Sequence, residues 1–120
     1  MYPFPPNSEL QCLLGEVLAQ VLLDPFQVQL KFGSGRSLVA ALRIEHVEPN
    51  ETVWPYDCSA SEGPPLLLHR LLQRTVAAVA REDLCLTLTF DDGSALRVVS
   101  DLGPYKAGQI WDPCGGFIVF

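Results

Sequence analysis

"LLQRTVAAVAREDLCLTLTFDDGSALRV", residues 71–98, decides the fold once it is laid over "LLGEVLAQVLLDPFQVQLKFGSGRSLVA", residues 13–40. Without a gap, Leu13, Leu14, Ala19, Val21, Leu30, Phe32, Gly35 and Leu38 meet Leu71, Leu72, Ala77, Val79, Leu88, Phe90, Gly93 and Leu96. Ordinary residue frequencies would give roughly two identities by chance. The chain therefore says one thing twice.

What it says is β. Phe26, Val28, Leu30 and Phe32 alternate with Gln27, Gln29 and Lys31, and Leu84, Leu86, Leu88 and Phe90 alternate with Cys85, Thr87 and Thr89. A period of two turns one apolar face to a core, and all eight apolar residues are expected there. Each run enters a turn, "GSG" at 33–35 and "DDG" at 91–93, whose last glycine supplies the positive φ of a tight hairpin. A further strand follows, carrying Leu38, Ala40 and Leu42 or Leu96 and Val98. The preceding strands are expected at 16–22 and 74–80, with Asp24-Pro25 and Glu82-Asp83 at the turns between. Each copy is thus a three-stranded antiparallel meander. A short helix should open each one: "ELQCLL", capped by Asn7 or Ser8 with Gln11 and stopped by Gly15, and "PPLLLHRLL", which lacks a glycine stop. A last hairpin is expected from "GQIW" and "FIVF" around "DPCGG", and "ETVW" before "PYDC" echoes it, which would make Trp54 and Trp111 equivalents. One meander cannot bury its own apolar face, whereas two packed together can. The expected fold is mainly β (α+β): two pseudo-repeated antiparallel β-meanders with short helices, one domain spanning residues 1–120.

The chain of 120 residues is long enough to bury a core without staples. Its net charge is −6, the wrong sign for nucleic acid or an anionic membrane, so a basic protein is the expected partner. No apolar run approaches the ~18 residues of a membrane span, and "MYPFPPNSEL" lacks the basic and apolar regions of a secretory signal, so the cytoplasm is the expected compartment. Cys12, Cys58, Cys85 and Cys114 form no CxxC pair. Reduced, mostly buried thiols are expected, and no metal or other cofactor. Asp91-Asp92-Gly93 lacks the alternating oxygens and closing Glu of a calcium loop. No glycine-rich phosphate loop is present, and no Cys stands in a nucleophile context, with Cys114 in its turn the most exposed thiol. His69 reads as a polar tip among leucines and His46 as a half-exposed residue after a strand. No catalytic residue is expected.

One segment stands out. Between Arg43 and Arg70 there is no Lys or Arg, while Glu45, Glu48, Glu51, Asp57 and Glu62 supply acids around Trp54 and Tyr56. It reads as a long connection, 45–63, between the copies. Aromatic anchors in an acidic rim suit a basic protein face. The candidate partner-binding residues are Glu48, Glu51, Trp54, Tyr56, Asp57 and Glu62, helped by Asp91 and Asp92. The plainer alternative is that Trp54 packs into the core and the acids solubilise a linker.

The repeated "LLG…V…V…D…V.L.F..G..L" and "LL..TV..V…E…L.LTF.DGS.LRV", then "Y.A..I" and a closing "G..IVF", resemble a family of small bacterial domains of unknown function across roughly residues 10–120. "FDDGSALRV" and the Tyr105 region are the most specific part. The family pattern has an acidic residue after that Tyr, where this chain has Lys106. The resemblance carries no catalytic residues, and it implies a role like that of immunity proteins of bacterial toxin systems. The leading expectation is a non-enzymatic binding protein that masks a cognate toxin stoichiometrically. The alternatives are a small-molecule-binding domain using the crevice between the meanders, walled by Trp54 or Trp111, and an enzyme relying on Cys114 or a Cys/His pair.

Overall fold

A computed structural model describes residues 3–60, 62–103 and 106–120, and the Tyr105 position lies outside them. Its strands are β1 (Leu18–Asp24), β2 (Gln27–Phe32), β3 (Ser37–Ala40), β4 (Arg43–Val47), β5 (Val53–Asp57), β6 (Val76–Glu82), β7 (Cys85–Phe90), β8 (Ala95–Val99), β9 (Gly108–Trp111) and β10 (Phe117–Val119). They form two five-stranded antiparallel sheets, ordered β1-β2-β3-β9-β10 and β5-β4-β8-β7-β6. The fold is mainly β.

Both repeat copies are meanders, β1-β2-β3 and β6-β7-β8, with the same register shift, between Leu18 and Gln20 in one and Val76 and Ala78 in the other. Their opening strands start two residues later than the pattern predicts. The hairpins that follow are exchanged: β4-β5 leaves its own copy and pairs with β8, while β9-β10 returns to pair with β3. Residues 45–63 are therefore not a long loop. Most of the segment is the β4-β5 hairpin and the turn after it, where Asp57 and Glu62 exchange backbone hydrogen bonds.

The inner faces share one core. Val28, Leu30, Phe32 and Leu38 come from the first sheet, and Ile44, Leu86, Leu88, Phe90, Leu96 and Val98 from the second. Each fully buried Leu or Phe is worth about 1.5–3 kcal/mol of transfer free energy. Phe26 and Leu84, also expected in this core, are 73% and 37% exposed. Each sits in the two-residue turn closed by Asp24 and Gln27 or by Glu82 and Cys85, one step beyond the strand that sets the alternation.

The helical openers are shorter than expected. The first is one turn, α1 (Asn7–Leu10), continuing as a 3-10 turn at Gln11–Leu13; the second is a 3-10 turn alone, Leu68–Leu71. Among the described residues no side chain caps α1, whose N-cap is Pro6, and the Gln11 side chain reaches the Asn7 side chain and the Val79 carbonyl. Gly15 ends the first opener with φ 82°, and Gln73 adopts φ 67° at the equivalent place in the second. The glycine missing from copy two is replaced by a strained residue, not by another kind of stop.

The C-terminal residue is an anchor. Phe120 is fully buried, its ring 4.4 Å from that of Phe4, and its carbonyl accepts hydrogen bonds from the amides of Ala107 and Gly108.

Candidate functional site

Register decides which predicted site residues can act together. At one end of the second sheet the β4-β5 turn and the β7-β8 turn lie side by side, because Val47 pairs with both Val53 and Ala95. Glu48, Glu51, Asp91 and Asp92 gather there. Tyr56, Asp57 and Glu62 fall at the opposite end, beside Arg43. Tyr56 packs against the core, and the Asp57 carboxylate is occupied with the Ser59 and Ala60 amides and the Ser59 hydroxyl. The eight candidates are thus two groups, not one surface.

At the acidic end, Leu96, His46 and Trp54 stand in one cross-strand row facing the core side. Trp54 is half-buried, and its indole N–H donates to the Glu48 carboxylate at 3.0 Å. Glu48 also accepts from Arg70 on the second opener. That indole N–H and the Arg70 guanidinium hold the Glu48 carboxyl below the usual carboxylate range, against a smaller cost of burial. Trp54 is neither simple core nor a free anchor: it is a half-buried ring pinned by an acid of the same hairpin.

The acids are not without counter-charges. Glu45 lies between Arg43 and Arg97, at 2.7 and 3.7 Å, on the outer face of the sheet. Asp92 lies 3.8 Å from Arg74. Counting charges along the chain missed these because every partner except Arg43 comes from another strand or turn. Among the described residues, the Glu51 and Asp91 side chains have no hydrogen bond or ion pair.

His46, Glu48, Arg70, Arg74, Asp92 and Ser94 line a cleft of about 420 Å³. His46 is its floor. It lies inside β4, only 1% exposed in place of the expected half exposure, and among the described residues its buried Nδ1 has no hydrogen-bond partner. Burial lowers the imidazole pKa below its ordinary 6.5, against the pull of the Glu48 carboxylate, so His46 favours the neutral form. Sequence gave no sign of it, since a His between Glu45 and Val47 in a strand of unknown face has no readable orientation.

The pseudo-repeat sharpens this observation. Leu38 of the first copy pairs with Ile110, and its counterpart Leu96 pairs with His46, so His46 occupies the place of Ile110. The matching cleft, lined by Cys12, Arg36, Ile110 and Asp112, is about 260 Å³. There Arg36 reaches across to Asp112 at 3.0 Å and closes the charge. The residue matching Arg36 is Ser94, too short to cross, and the His46 cleft is the larger of the two. By the same register Trp54 corresponds to Ile118, so Trp54 and Trp111 are not equivalents. Trp111 lies on the outer face of the first sheet, its ring 4.8 Å from that of Phe117.

The thiols give little chemistry. All four cysteines are free; Cys58 is buried, Cys85 half-buried, and Cys12 and Cys114 exposed, so fewer are buried than expected. Burial pushes the Cys58 thiol up to about 12 and that of Cys85 up as well, keeping both protonated at neutral pH. Among the described residues no group of His, Cys, Asp and Glu is placed to hold a metal ion, and no helix is long and apolar enough to cross a membrane. No family model matches the chain, and neither the curated proteins nor the solved structures contain a match.

Proposed function

We propose that the chain is a non-enzymatic binding protein that docks a basic protein partner on the acidic end of its second sheet, in the manner of an immunity protein masking a bacterial toxin. The supporting observation is the convergence there of Glu48, Glu51, Asp91 and Asp92, from two adjacent turns, around the open His46 cleft. Arg70 and Arg74 neutralise Glu48 and Asp92, leaving Glu51 and Asp91 as outward charge. Such charge steers encounter, and the cleft offers a place for one inserted side chain. Its volume also falls within the ~300–1,000 Å³ of small-ligand sites, which favours a small polar ligand as the second reading.

Affinity capture from the native host, followed by association kinetics with the captured partner, tests this. A basic protein should bind stoichiometrically, and Glu51→Gln with Asp91→Asn should slow association several-fold and flatten its salt dependence. Among the described residues neither carboxylate holds another group, so stability should stay within about 0.5 kcal/mol. Association indifferent to both substitutions and to salt would remove the acidic end from the interface.

A further inference from the structure

The repeat supplies a template for what enters the His46 cleft. In the matching cleft one side chain, Arg36, ties separate elements together. Its guanidinium donates to the Asp112 carboxylate at 3.0 Å and to the Cys12 carbonyl at 3.3 Å, and stands 3.7 Å from Glu16. The carboxylate and the carbonyl both have counterparts in the His46 cleft. Glu48 takes the place of Asp112, because each opens the same kind of turn. Its amide donates to the carbonyl four residues on, Thr52 or Gly116, and its carbonyl accepts from Glu51 or Gly115. Arg70 takes the place of Cys12, and among the described residues its carbonyl accepts no hydrogen bond. The guanidinium itself has no counterpart, since Ser94 stands where Arg36 does and turns its hydroxyl to Asp92.

Charge and acceptors favour a cation at this place. Glu48, Glu51, Asp91 and Asp92 gather there against Arg70 and Arg74, two more acids than bases. The buried His46 ring favours its neutral form, so it adds no positive charge and keeps one acceptor nitrogen. The Glu48 carboxylate takes one hydrogen bond from Trp54 and one from Arg70, of the roughly four it can accept. Asp92 Oδ2 lies 3.8 Å from Arg74, beyond hydrogen-bond reach. The Arg70 and Arg74 side chains, 55% and 49% exposed, can spend their remaining N–H groups on water. The Glu48 and Asp92 side chains, 13% and 21% exposed, have less water to turn to.

We infer that the His46 cleft takes one arginine side chain of the basic partner, its guanidinium set between the Glu48 carboxylate and the Arg70 carbonyl as Arg36 is set between Asp112 and Cys12. This rests on the docking reading above and names the side chain that anchors it. The two acceptors belong to different elements, the β4-β5 turn and the second opener. A planar fork of donors bridges them, whereas a lysine brings a compact point charge that suits the spacing less well. Arginine is also among the side chains that most often carry the energy of an interface.

Titration of the whole chain with N-acetyl-arginine methylamide, followed by nuclear magnetic resonance, tests this. The Trp54 indole N–H and the Ser94 amide should shift saturably at millimolar probe, and N-acetyl-lysine methylamide should bind at least about fivefold more weakly. Ser94→Arg, which copies Arg36, should abolish the shift with an unchanged circular dichroism spectrum. Glu48→Gln, which keeps an acceptor for the indole, should weaken binding several-fold and covers the case of a misfolded Ser94→Arg. The absence of a saturable shift, equal binding of the two probes, or wild-type binding by Glu48→Gln each overturns the inference. A captured basic protein that binds Ser94→Arg as tightly as the wild type also overturns it, and leaves the docking reading in place. That reading fails on its own result, the capture of no basic protein.

Discussion

Val17 and Thr75, equivalent positions of the two repeat copies, face each other in an antiparallel β-bridge. Around them the hydrogen bonds come in reciprocal pairs. Gly15 donates to Val76 as Gln73 donates to Leu18, and Leu18 donates to Arg74 as Val76 donates to Glu16. A pseudo-two-fold axis therefore passes between Val17 and Thr75. Together with the exchanged hairpins, this seam ties each copy to the other, and neither sheet is complete without residues from both.

The seam contains one mismatch that can be repaired. Gln73 holds a left-handed backbone, φ 67°, where its mate Gly15 holds φ 82°. That conformation costs an L-residue roughly 1–2 kcal/mol, partly offset by the chain entropy that glycine loses on folding. Gln73→Gly should therefore raise stability by up to about 1 kcal/mol in urea unfolding. Gly15→Ala should lower it by a similar amount, although a Cβ at Gly15 meets no atom within 4 Å.

The core alternation makes opposite forecasts for two positions of the repeated pattern. Leu88 is fully buried, and Leu88→Ala should cost about 2–5 kcal/mol. Phe26, at 73% exposure, belongs to the equivalent apolar series of the other copy, yet Phe26→Ser should change stability by less than about 0.5 kcal/mol. Chemical denaturation of both variants checks the pair.

Those two residues also show how far the sequence was legible. Period-two patterning identified the strands and their buried faces because it is a local consequence of the pleat. It does not say where a strand stops and a two-residue turn begins, and so sets Phe26 and Leu84 one step too deep. The exchange of β4-β5 and β9-β10 was invisible, since strand pairing between copies leaves no periodic trace in either copy. The site suffered from the same gap: Glu48 is neutralised by Arg70, and His46 is buried opposite Leu96, through contacts made only by that exchange.

Gly108 is the tightest point of the exchanged C-terminal hairpin. A Cβ there would collide with the Val39 carbonyl and the ring of Phe120, both inside the packed region. Its counterpart on β4 is Ile44, which has room. Gly108→Ala should destabilise by about 3 kcal/mol or more, beyond ordinary overpacking because backbone is involved. Thermal unfolding should then show a loss far larger than that of Gly116→Ala, where the nearest atom stands at 3.9 Å.

His46 offers the last test, because the repeat itself supplies the replacement. Its mate Ile110 is buried with no polar atom to satisfy, so His46→Ile should recover about 1–3 kcal/mol now lost to an unpartnered ring nitrogen. The pH dependence separates this effect from packing. In the native protein His46 resists protonation, because burial lowers its pKa below 6.5, while the unfolded chain takes up the proton near that value. The unfolded state then binds more protons as pH falls from 6.5 towards the native pKa, and stability declines through that window. Glu48, held low first by the Trp54 indole N–H, adds a second loss in the same direction below its ordinary 4.5. Wild-type stability should therefore fall in two stages on acidification, and His46→Ile should abolish the upper stage and keep the lower one. If the variant retains the upper stage, the imidazole is not the group that titrates. The stability pH profiles of the two proteins, measured by denaturant unfolding, decide the matter.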